Sequence, residues 1–224
     1  MRVAIFGGSF DPPHRGHLAI ARAAVERLSL DSLWMAPVGT QPLKLNSVST
    51  RYADRLAMVR LAVAEDPHIA ASEIDAPRAD GRPNFTVDLL RQVRSEINEK
   101  DKLFFLLGAD SFLSLRQWHG AAELPFLCSF IVAGRPGSSI EDVRLALPEG
   151  ITTGRKGYAS ISPQLVEWQL CDEARPGSEL YFMPDLQEEI SATDIRAAIG
   201  GDQSATGLLA PAVLRYIEDH GLYR

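Results

Sequence analysis

The amino-acid sequence predicts an α/β fold: a doubly wound, mostly parallel sheet with helices on both faces. Apolar runs of strand length alternate with helical patterns along most of the chain. Several of these runs lack polar alternation, which is typical of strands buried on both faces. The length of 224 residues suits one domain with a substantial core.

Six strands are predicted, and helical patterns lie between them. The strands are expected at 2–6, 32–38, 68–74, 102–108, 127–134 and 179–184. Helices are expected at 17–30, 51–66, 86–100 and 211–221. Repeated βαβ units of this kind are Rossmann-like and place ligands at the carboxyl ends of the parallel strands.

The segment 136–178 has the poorest periodicity, because Pro, Gly and Ser are frequent there. We interpret it as a variable connection inside a single domain that spans 1–224. Short helices are expected within it near 139–146 and 163–170.

Composition and charge narrow the functional classes. Hydrophobic residues make up 46% of the chain and charged residues 23%, and the formal net charge is −6. A negative chain is repelled by nucleic acid, so a nucleic-acid partner is not expected. Nothing approaches the ~20 apolar residues of a membrane span, and "MRVAIF" is too short for a secretory signal, so we expect a cytoplasmic protein. Cys128 and Cys171 lack metal-ligand spacing.

The stretch "GGSFDPPHRGH" at 7–17 is the first candidate site. Gly7 and Gly8 directly after a strand let backbone N–H groups approach phosphate oxygens. His14 and His17 are three apart in the first helical turn, so both imidazoles can donate to one polyphosphate. The spacing matches neither the dinucleotide fingerprint nor the Walker loop. The alternative is two surface histidines beside an ordinary turn.

The stretch "ISATDIR" at 190–196 is the second candidate site. Ser191 and Asp194 have the S-x-x-D form of a capping box, which predicts a helix start with Arg196 in its first turns. Such a helix start suits an anion. The alternative is a plain helix start without a ligand.

The two stretches together resemble the nucleotidyltransferase superfamily of adenylyl- and cytidylyltransferases, whose H-x-G-H and I-S-x-T-x-I-R motifs occur here in order. The intervening pieces are similar to the bacterial nicotinate mononucleotide adenylyltransferases. These pieces are "PLK" with Arg51 opening the next helix, "RPNFTVDLL", "LLGADSFLSLRQWH" and "PAVLRYIEDHGLY". The resemblance thins in 136–178, and Ala192 replaces the second Ser of the more usual I-S-S-T-x-I-R.

The resemblance implies adenylyl transfer from ATP to nicotinate mononucleotide, which gives nicotinate adenine dinucleotide and pyrophosphate in NAD biosynthesis. It implies Mg²⁺ bound mainly through the ATP phosphates, and we name no metal ligand in the protein. The expected partners are the two nucleotides, with neither nucleic acid nor membrane. A homo-oligomer is left open.

The resemblance also assigns the ATP site. The catalytic group would be His14, His17 and Arg196. The ATP-binding residues would be Gly7, Gly8, Ser9, Phe10, His14, His17, Gly108, Asp110, Ser191, Thr193 and Arg196. Within this set Gly108 and Asp110 would recognise adenosine, and the alternative for Asp110 is a helix cap.

The mononucleotide would be bound by Lys44, Arg51, Thr86 and Trp118. Trp118 would stack on the pyridine ring, and the alternative is a core tryptophan. Thr86 would offer its N–H and hydroxyl to the nicotinate carboxylate, a role compatible with a helix N-cap. Lys44 and Arg51 would lie near the mononucleotide or the polyphosphate, and the alternative is solvated loop charges.

Three rival functions stay open at this point. Sister transferases that use pantetheine phosphate, nicotinamide mononucleotide or a cytidylyl donor share both motifs, although "RPNFT" and "GADSF…W" favour a pyridine mononucleotide. A nucleotide-binding regulatory module is disfavoured by the intact histidines and arginine. An NAD-dependent dehydrogenase is disfavoured because the dinucleotide fingerprint is missing.

Overall fold

A computed structural model describes residues 1–40, 50–134, 139–162, 164–174, 176–184, 186, 190–201 and 203–224. Its strands are β1 (Arg2–Gly8), β2 (Ser32–Pro37), β3 (Ile69–Ala71), β4 (Lys102–Gly108), β5 (Ser129–Ala133), β6 (Thr152–Ser162), β7 (Leu165–Cys171) and β8 (Pro176–Met183). Its helices are α1 (Arg15–Leu28), α2 (Tyr52–Val63), α3 (Thr86–Glu96), α4 (Ala109–Leu113), α5 (Ile140–Leu145), α6 (Ala192–Gly200) and α7 (Pro211–Asp219). Two 3-10 segments, Leu115–Gln117 and Ala121–Phe126, follow α4.

Within the described ranges the strands form one eight-stranded sheet in the order β3-β2-β1-β4-β5-β8-β7-β6. The six strands from β3 to β8 in this order are parallel to one another. β7 is antiparallel to β8, and β6 is antiparallel to β7. The strand order reverses at β1 and β4, so ligands are expected in the crevice beyond their carboxyl ends.

The predicted mostly parallel, doubly wound fold is confirmed, as are the six predicted strands, the four long helices and the short helix near 139–146. The predicted helix near 163–170 is wrong, because this stretch belongs to β7. The connection 136–178 therefore contains a β-hairpin, β6–β7, that extends the sheet. The hairpin strand β6 was missed because "TTGRKGYASIS" has few apolar residues to reveal its period.

The core lies on both faces of the sheet because successive residues of a strand point to opposite faces. Phe105 and Leu107 of β4 pack in one cluster with the buried face of α3, and Phe104 and Leu106 pack in another with the buried face of α1. A third, smaller cluster joins α2, α6 and α7 through Met58, Ile195, Val213 and Ile217. This third cluster holds the start of α6 against α2, beside the crevice.

The connection that precedes α3 is folded onto the end of β2. A Cβ on Gly39 would lie 2.6 Å from the carbonyl oxygen of Asp75, so only glycine allows this approach. The Asn84 amide donates to the backbone carbonyl of Asp75 at 3.1 Å and to its carboxylate at 2.8 Å. The Asn84 backbone N–H donates to the Thr40 carbonyl at 3.1 Å. These contacts bring the start of α3 towards the crevice.

Burial of the Asp75 carboxyl group raises its pKa to about 6, although the hydrogen bond from Asn84 and the positive charge of Arg55 act in the opposite direction. The folded protein therefore holds a proton on Asp75 over a pH range in which the unfolded chain has lost it. The unfolded value is the ordinary one, 3.8. Stability consequently falls as the pH rises from the unfolded to the folded pKa.

We expect Asp75→Asn to remove this loss of stability. The free energy of unfolding, measured in urea, should fall less between about pH 4 and pH 7 in the variant than in the wild type, by on the order of 1–3 kcal/mol. Asp219→Asn, at the exposed end of α7, controls for the loss of one negative charge. An unchanged pH dependence in Asp75→Asn would contradict the assignment.

Candidate functional site

The loop between β1 and α1 is built around a buried phenylalanine. Phe10 is 1% exposed and has a φ of 48°, in the left-handed region. Its ring packs edge-on against Phe6 and His17, with centroid separations of 5.2 and 5.0 Å. A Cβ on Gly8 would lie 3.0 Å from the Phe10 ring, so the glycine makes room for it. The loop backbone is thus shaped by packing at the end of the central strand.

His14 and His17 lie side by side at the start of α1. Their ring centroids are 3.7 Å apart, and His14 occupies the N-cap position. The backbone N–H of His14 donates to Nδ1 of His17 at 3.2 Å. Since Nδ1 accepts, the proton of the neutral His17 ring is on Nε2, which is then a hydrogen-bond donor. The predicted shared face of the two histidines is confirmed.

Arg196 joins the second motif to the first. Its Nη1 donates to the carbonyl oxygen of Asp11 at 2.7 Å, and its Nη2 donates to Oγ1 of Thr193 at 3.2 Å. A guanidinium has five N–H donors, more than these two bonds require. The structure therefore brings Arg196 to the loop that carries the histidines.

The start of α6 confirms the predicted cap at Ser191. Its Oγ accepts a hydrogen bond from the Thr193 backbone N–H at 3.2 Å, and the helix begins at Ala192. The positive end of the α6 dipole thus lies at the start of the helix, whose first turns carry Arg196. Both Ser191 and Thr193 already serve the local geometry, as cap and as arginine partner.

Arg55 was missed by the sequence analysis. It is 3% exposed, and it donates to the carbonyl oxygens of Ser9 at 2.8 Å, Val38 at 2.8 Å and Thr50 at 3.0 Å. Burial lowers the pKa of Arg55 and the Asp11 carboxylate opposes that shift, but an arginine keeps its charge. Arg55 thus ties the ends of β1 and β2 together and places a positive charge beneath the loop.

A sequence signal for Arg55 exists. It occupies the first position of an i, i+3, i+4, i+7 series with Met58, Val59 and Ala62, on the apolar face of α2. An arginine at such a position is buried and needs several acceptors. No comparable local signal marks Asp11, whose partners lie far along the chain.

The predicted adenosine residues lie at the end of β4. Gly108 holds the N-cap position of α4, and a Cβ there would have no atom within 4 Å. Asp110 is exposed in the first turn of α4. Because Gly108 holds the N-cap position, the alternative that Asp110 is the helix cap is wrong. β4 neighbours β1, which places this open position beside the loop between β1 and α1, residues 9–14. This segment, which leads into His14 and His17, is the histidine loop.

Thr86 and Trp118 come from two segments that meet. The Phe85 and His119 rings have centroids 4.4 Å apart, which joins the start of α3 to the turn carrying Trp118. Trp118 is half-buried, donates through Nε1 to Ser114 Oγ at 3.2 Å and lines a cavity of about 620 Å³. The N-cap of α3 is Phe85, so the expectation that Thr86 is the cap is wrong by one residue.

Of the two basic residues predicted near the mononucleotide, the structure describes Arg51. Arg51 is the N-cap of α2, its side chain is 84% exposed, and its Nε pairs with Asp54 at 3.0 Å. Arg51 is thus at the solvent-facing rim, while Lys44 lies outside the described residues. Among the residues that the structure does describe, no group of three His, Cys, Asp or Glu could hold a metal ion. In that same part of the chain, no helix is long and apolar enough to span a bilayer.

Comparisons with known proteins agree with this geometry. Residues 5–198 match the cytidylyltransferase-like family model. The "Probable nicotinate-nucleotide adenylyltransferase" of Chromobacterium violaceum is 36% identical over 235 residues, covering 100% of this chain and 99% of that protein. The protein of the same name from Citrifermentans bemidjiense is 34% identical over 223 residues, covering 100% and 98%.

The fold also matches solved structures. Plasmodium falciparum nicotinic acid mononucleotide adenylyltransferase complexed with NaAD superposes with a TM-score of 0.72 at 16% identity, covering 99% of this chain and 97% of that one. The same enzyme complexed with APC gives a TM-score of 0.69, also at 16% identity, with coverage of 99% and 96%. At this identity the likeness supports the fold. The family model and the full-length relatives show that the chain belongs to the cytidylyltransferase-like family and, within it, to the nicotinate-nucleotide adenylyltransferases.

Proposed function

We propose that this chain transfers the adenylyl group of ATP to nicotinate mononucleotide, which forms nicotinate adenine dinucleotide and releases pyrophosphate in NAD biosynthesis. The full-length relatives support this activity. The structural observation that most supports this activity is the bond from Arg196 to the Asp11 carbonyl. It brings the two motifs together beyond the carboxyl ends of β1 and β4, where the strand order reverses.

The phosphates of ATP would be held at the carboxyl end of β1. The backbone N–H groups of 7–10 and the imidazoles of His14 and His17 would donate to the α- and β-phosphates. Arg196, with Thr193 and Ser191 at the start of α6, would hold the β- and γ-phosphates. Arg55 does not touch the ligand in this arrangement, but its buried charge favours an anion above it.

The reaction needs positioning and charge neutralisation, and no covalent intermediate. An oxygen of the mononucleotide 5′-phosphate forms a bond to the α-phosphorus, and the bond from that phosphorus to the bridging oxygen breaks. Pyrophosphate leaves with the electron pair of that bond. Since a phosphate monoester has a second pKa of about 6, the attacking group is already largely ionised at neutral pH and needs no general base.

The adenosine and the mononucleotide would be bound by the two regions next to the phosphate site, the end of β4 and the start of α3. Gly108 and Asp110 would bind adenosine at the end of β4, where the open position beside Gly108 leaves room. Trp118 would stack on the pyridine ring, and the first N–H of α3, at Thr86, would bind the nicotinate carboxylate. Arg51 would act from the rim, and Lys44 keeps its proposed place beside the mononucleotide or the polyphosphate.

Magnesium belongs to this proposal as an ion carried by the ATP phosphates. The donor set around the loop consists of imidazole, guanidinium and backbone N–H groups, which suits phosphate oxygens rather than a cation. Mg²⁺ keeps several waters and is commonly bound through substrate phosphates. When bound, it would neutralise part of the charge on the leaving pyrophosphate, while His14, His17 and Arg196 orient the chain of phosphates.

A cytoplasmic location and a role without nucleic acid or membrane partners stay predictions, and a homo-oligomer stays open.

The deciding experiment for the function is a pyrophosphate-release assay with ATP or CTP and a panel of acceptors. We expect turnover with ATP and nicotinate mononucleotide to exceed turnover with nicotinamide mononucleotide or pantetheine phosphate. Tight ATP binding without pyrophosphate from any acceptor would instead indicate a regulatory module.

We expect His17→Ala to lower kcat by about 10²–10³-fold while changing the KM for ATP much less, because the Nε2–H group stabilises charge that grows in the transition state. Steady-state kinetics with both substrates varied measure this. The exposed His68 provides the matched control, and His68→Ala should retain wild-type kinetics. If kcat in His17→Ala stays at the wild-type value, His17 is not catalytic.

We expect Trp118→Ala to raise the KM for the mononucleotide by about tenfold or more, since stacking of a base-like ring is worth roughly 1–3 kcal/mol. Trp118→Phe keeps an aromatic face and should show a smaller increase. The KM for ATP should stay within about twofold in both variants. An unchanged KM for the mononucleotide in Trp118→Ala would assign the side chain to the core.

A further inference from the structure

Asp11 connects the histidine loop to three distant parts of the chain. It is 4% exposed and lies three residues before His14. Its Oδ2 accepts from the Thr50 backbone N–H at 3.1 Å, and its carbonyl oxygen accepts from Arg196 at 2.7 Å. Its Oδ1 accepts from the Tyr223 hydroxyl at 2.6 Å, a distance typical of a charge-assisted hydrogen bond. The proposed function gives no role to the Asp11 carboxylate or to Tyr223.

Tyr223 is held in place by the helices on which it packs. The Leu222 backbone N–H donates to the Ile217 carbonyl of α7 at 3.0 Å, and Tyr223 itself has a φ of 67°. A Cβ on Gly200 would lie 3.1 Å from the Tyr223 carbonyl oxygen, so this turn packs on the end of α6. Tyr223 therefore links three parts of the chain. These are α7, α6 with its Arg196, and the histidine loop.

The Tyr223 hydroxyl is a permanent donor at neutral pH. Burial and the hydrogen bond to the Asp11 carboxylate both raise the pKa of Tyr223 far above its ordinary value, while Thr50 and the charge of Arg196 oppose the shift. A tyrosine whose pKa is raised keeps its proton. The Tyr223 hydroxyl is thus able to donate to Asp11 at neutral pH.

We propose that Tyr223 is a positioning residue for the phosphate site. By holding the Asp11 carboxylate it fixes the Asp11 carbonyl, and that carbonyl orients the Arg196 guanidinium beside His14 and His17. This inference rests on the proposed function, because it assigns Tyr223 an effect through Arg196. A displacement of about 1 Å at such a group can cost about a hundredfold in rate.

The first test compares two Tyr→Phe substitutions that each remove one hydroxyl bound to a carboxylate. Tyr181 donates to Glu167 at 3.1 Å on the β7–β8 side of the sheet, so Tyr181→Phe is the matched control for Tyr223→Phe. We expect Tyr223→Phe to lower kcat/KM for ATP about tenfold, with the KM for the mononucleotide within about twofold. Tyr181→Phe should leave both constants within about twofold.

The second test asks whether Tyr223 acts through Arg196. Arg196→Lys keeps the charge, but a lysine cannot reproduce both guanidinium bonds. In a double-mutant cycle, Tyr223→Phe should cost less than about twofold in kcat/KM once Arg196→Lys is present. A purely structural role would instead lower the melting temperature and give the same factor in both backgrounds.

The outcomes separate this inference from the proposed function. Wild-type protein that releases no pyrophosphate with any acceptor overturns the proposed function and the inference together. Active wild type with an unaffected Tyr223→Phe, or with effects that multiply in the cycle, overturns the inference alone. If Tyr223→Phe does not fold, Asp11→Asn replaces it, since it removes the carboxylate charge at the same size. Its effect should then also be lost in the Arg196→Lys background.

Discussion

The hydrogen bond from the Arg196 guanidinium to the Asp11 carbonyl is the contact on which the site depends. It joins residues 185 positions apart. The sheet makes it possible, because β1 is central and delivers the loop to the crevice, while the cluster of α2, α6 and α7 holds the start of α6 above that loop. The bond thus joins the arginine of the second motif to the loop that leads into the histidines of the first.

The proposed affinity for phosphate would be a local property of a negatively charged chain. The formal net charge is −6, yet two arginines, the start of α1 and the start of α6 converge on the same loop. The hydrogen bonds of Arg55 go to backbone carbonyls, and the nearby Asp11 carboxylate offsets part of its positive charge. The Asp11 carboxylate of this loop accepts hydrogen bonds from the Tyr223 hydroxyl and the Thr50 backbone N–H.

Local patterns predicted the fold well where the period was strong. Apolar runs located β1 and β4, and the cap at Ser191 located α6. The β6–β7 hairpin escaped because strand pairing is long-range and its outer strand is polar. The bonds of Arg55 and Tyr223 to the loop escaped for the same reason, since a sequence period shows which face a residue occupies but not which carbonyl or carboxylate it reaches.

We infer that the two motifs form one binding site for the triphosphate. A crystal structure of the protein with a non-hydrolysable ATP analogue tests it most directly. We expect phosphate oxygens within hydrogen-bond distance of both His17 Nε2 and the Arg196 guanidinium. A triphosphate that contacts one motif while the other faces solvent would contradict it.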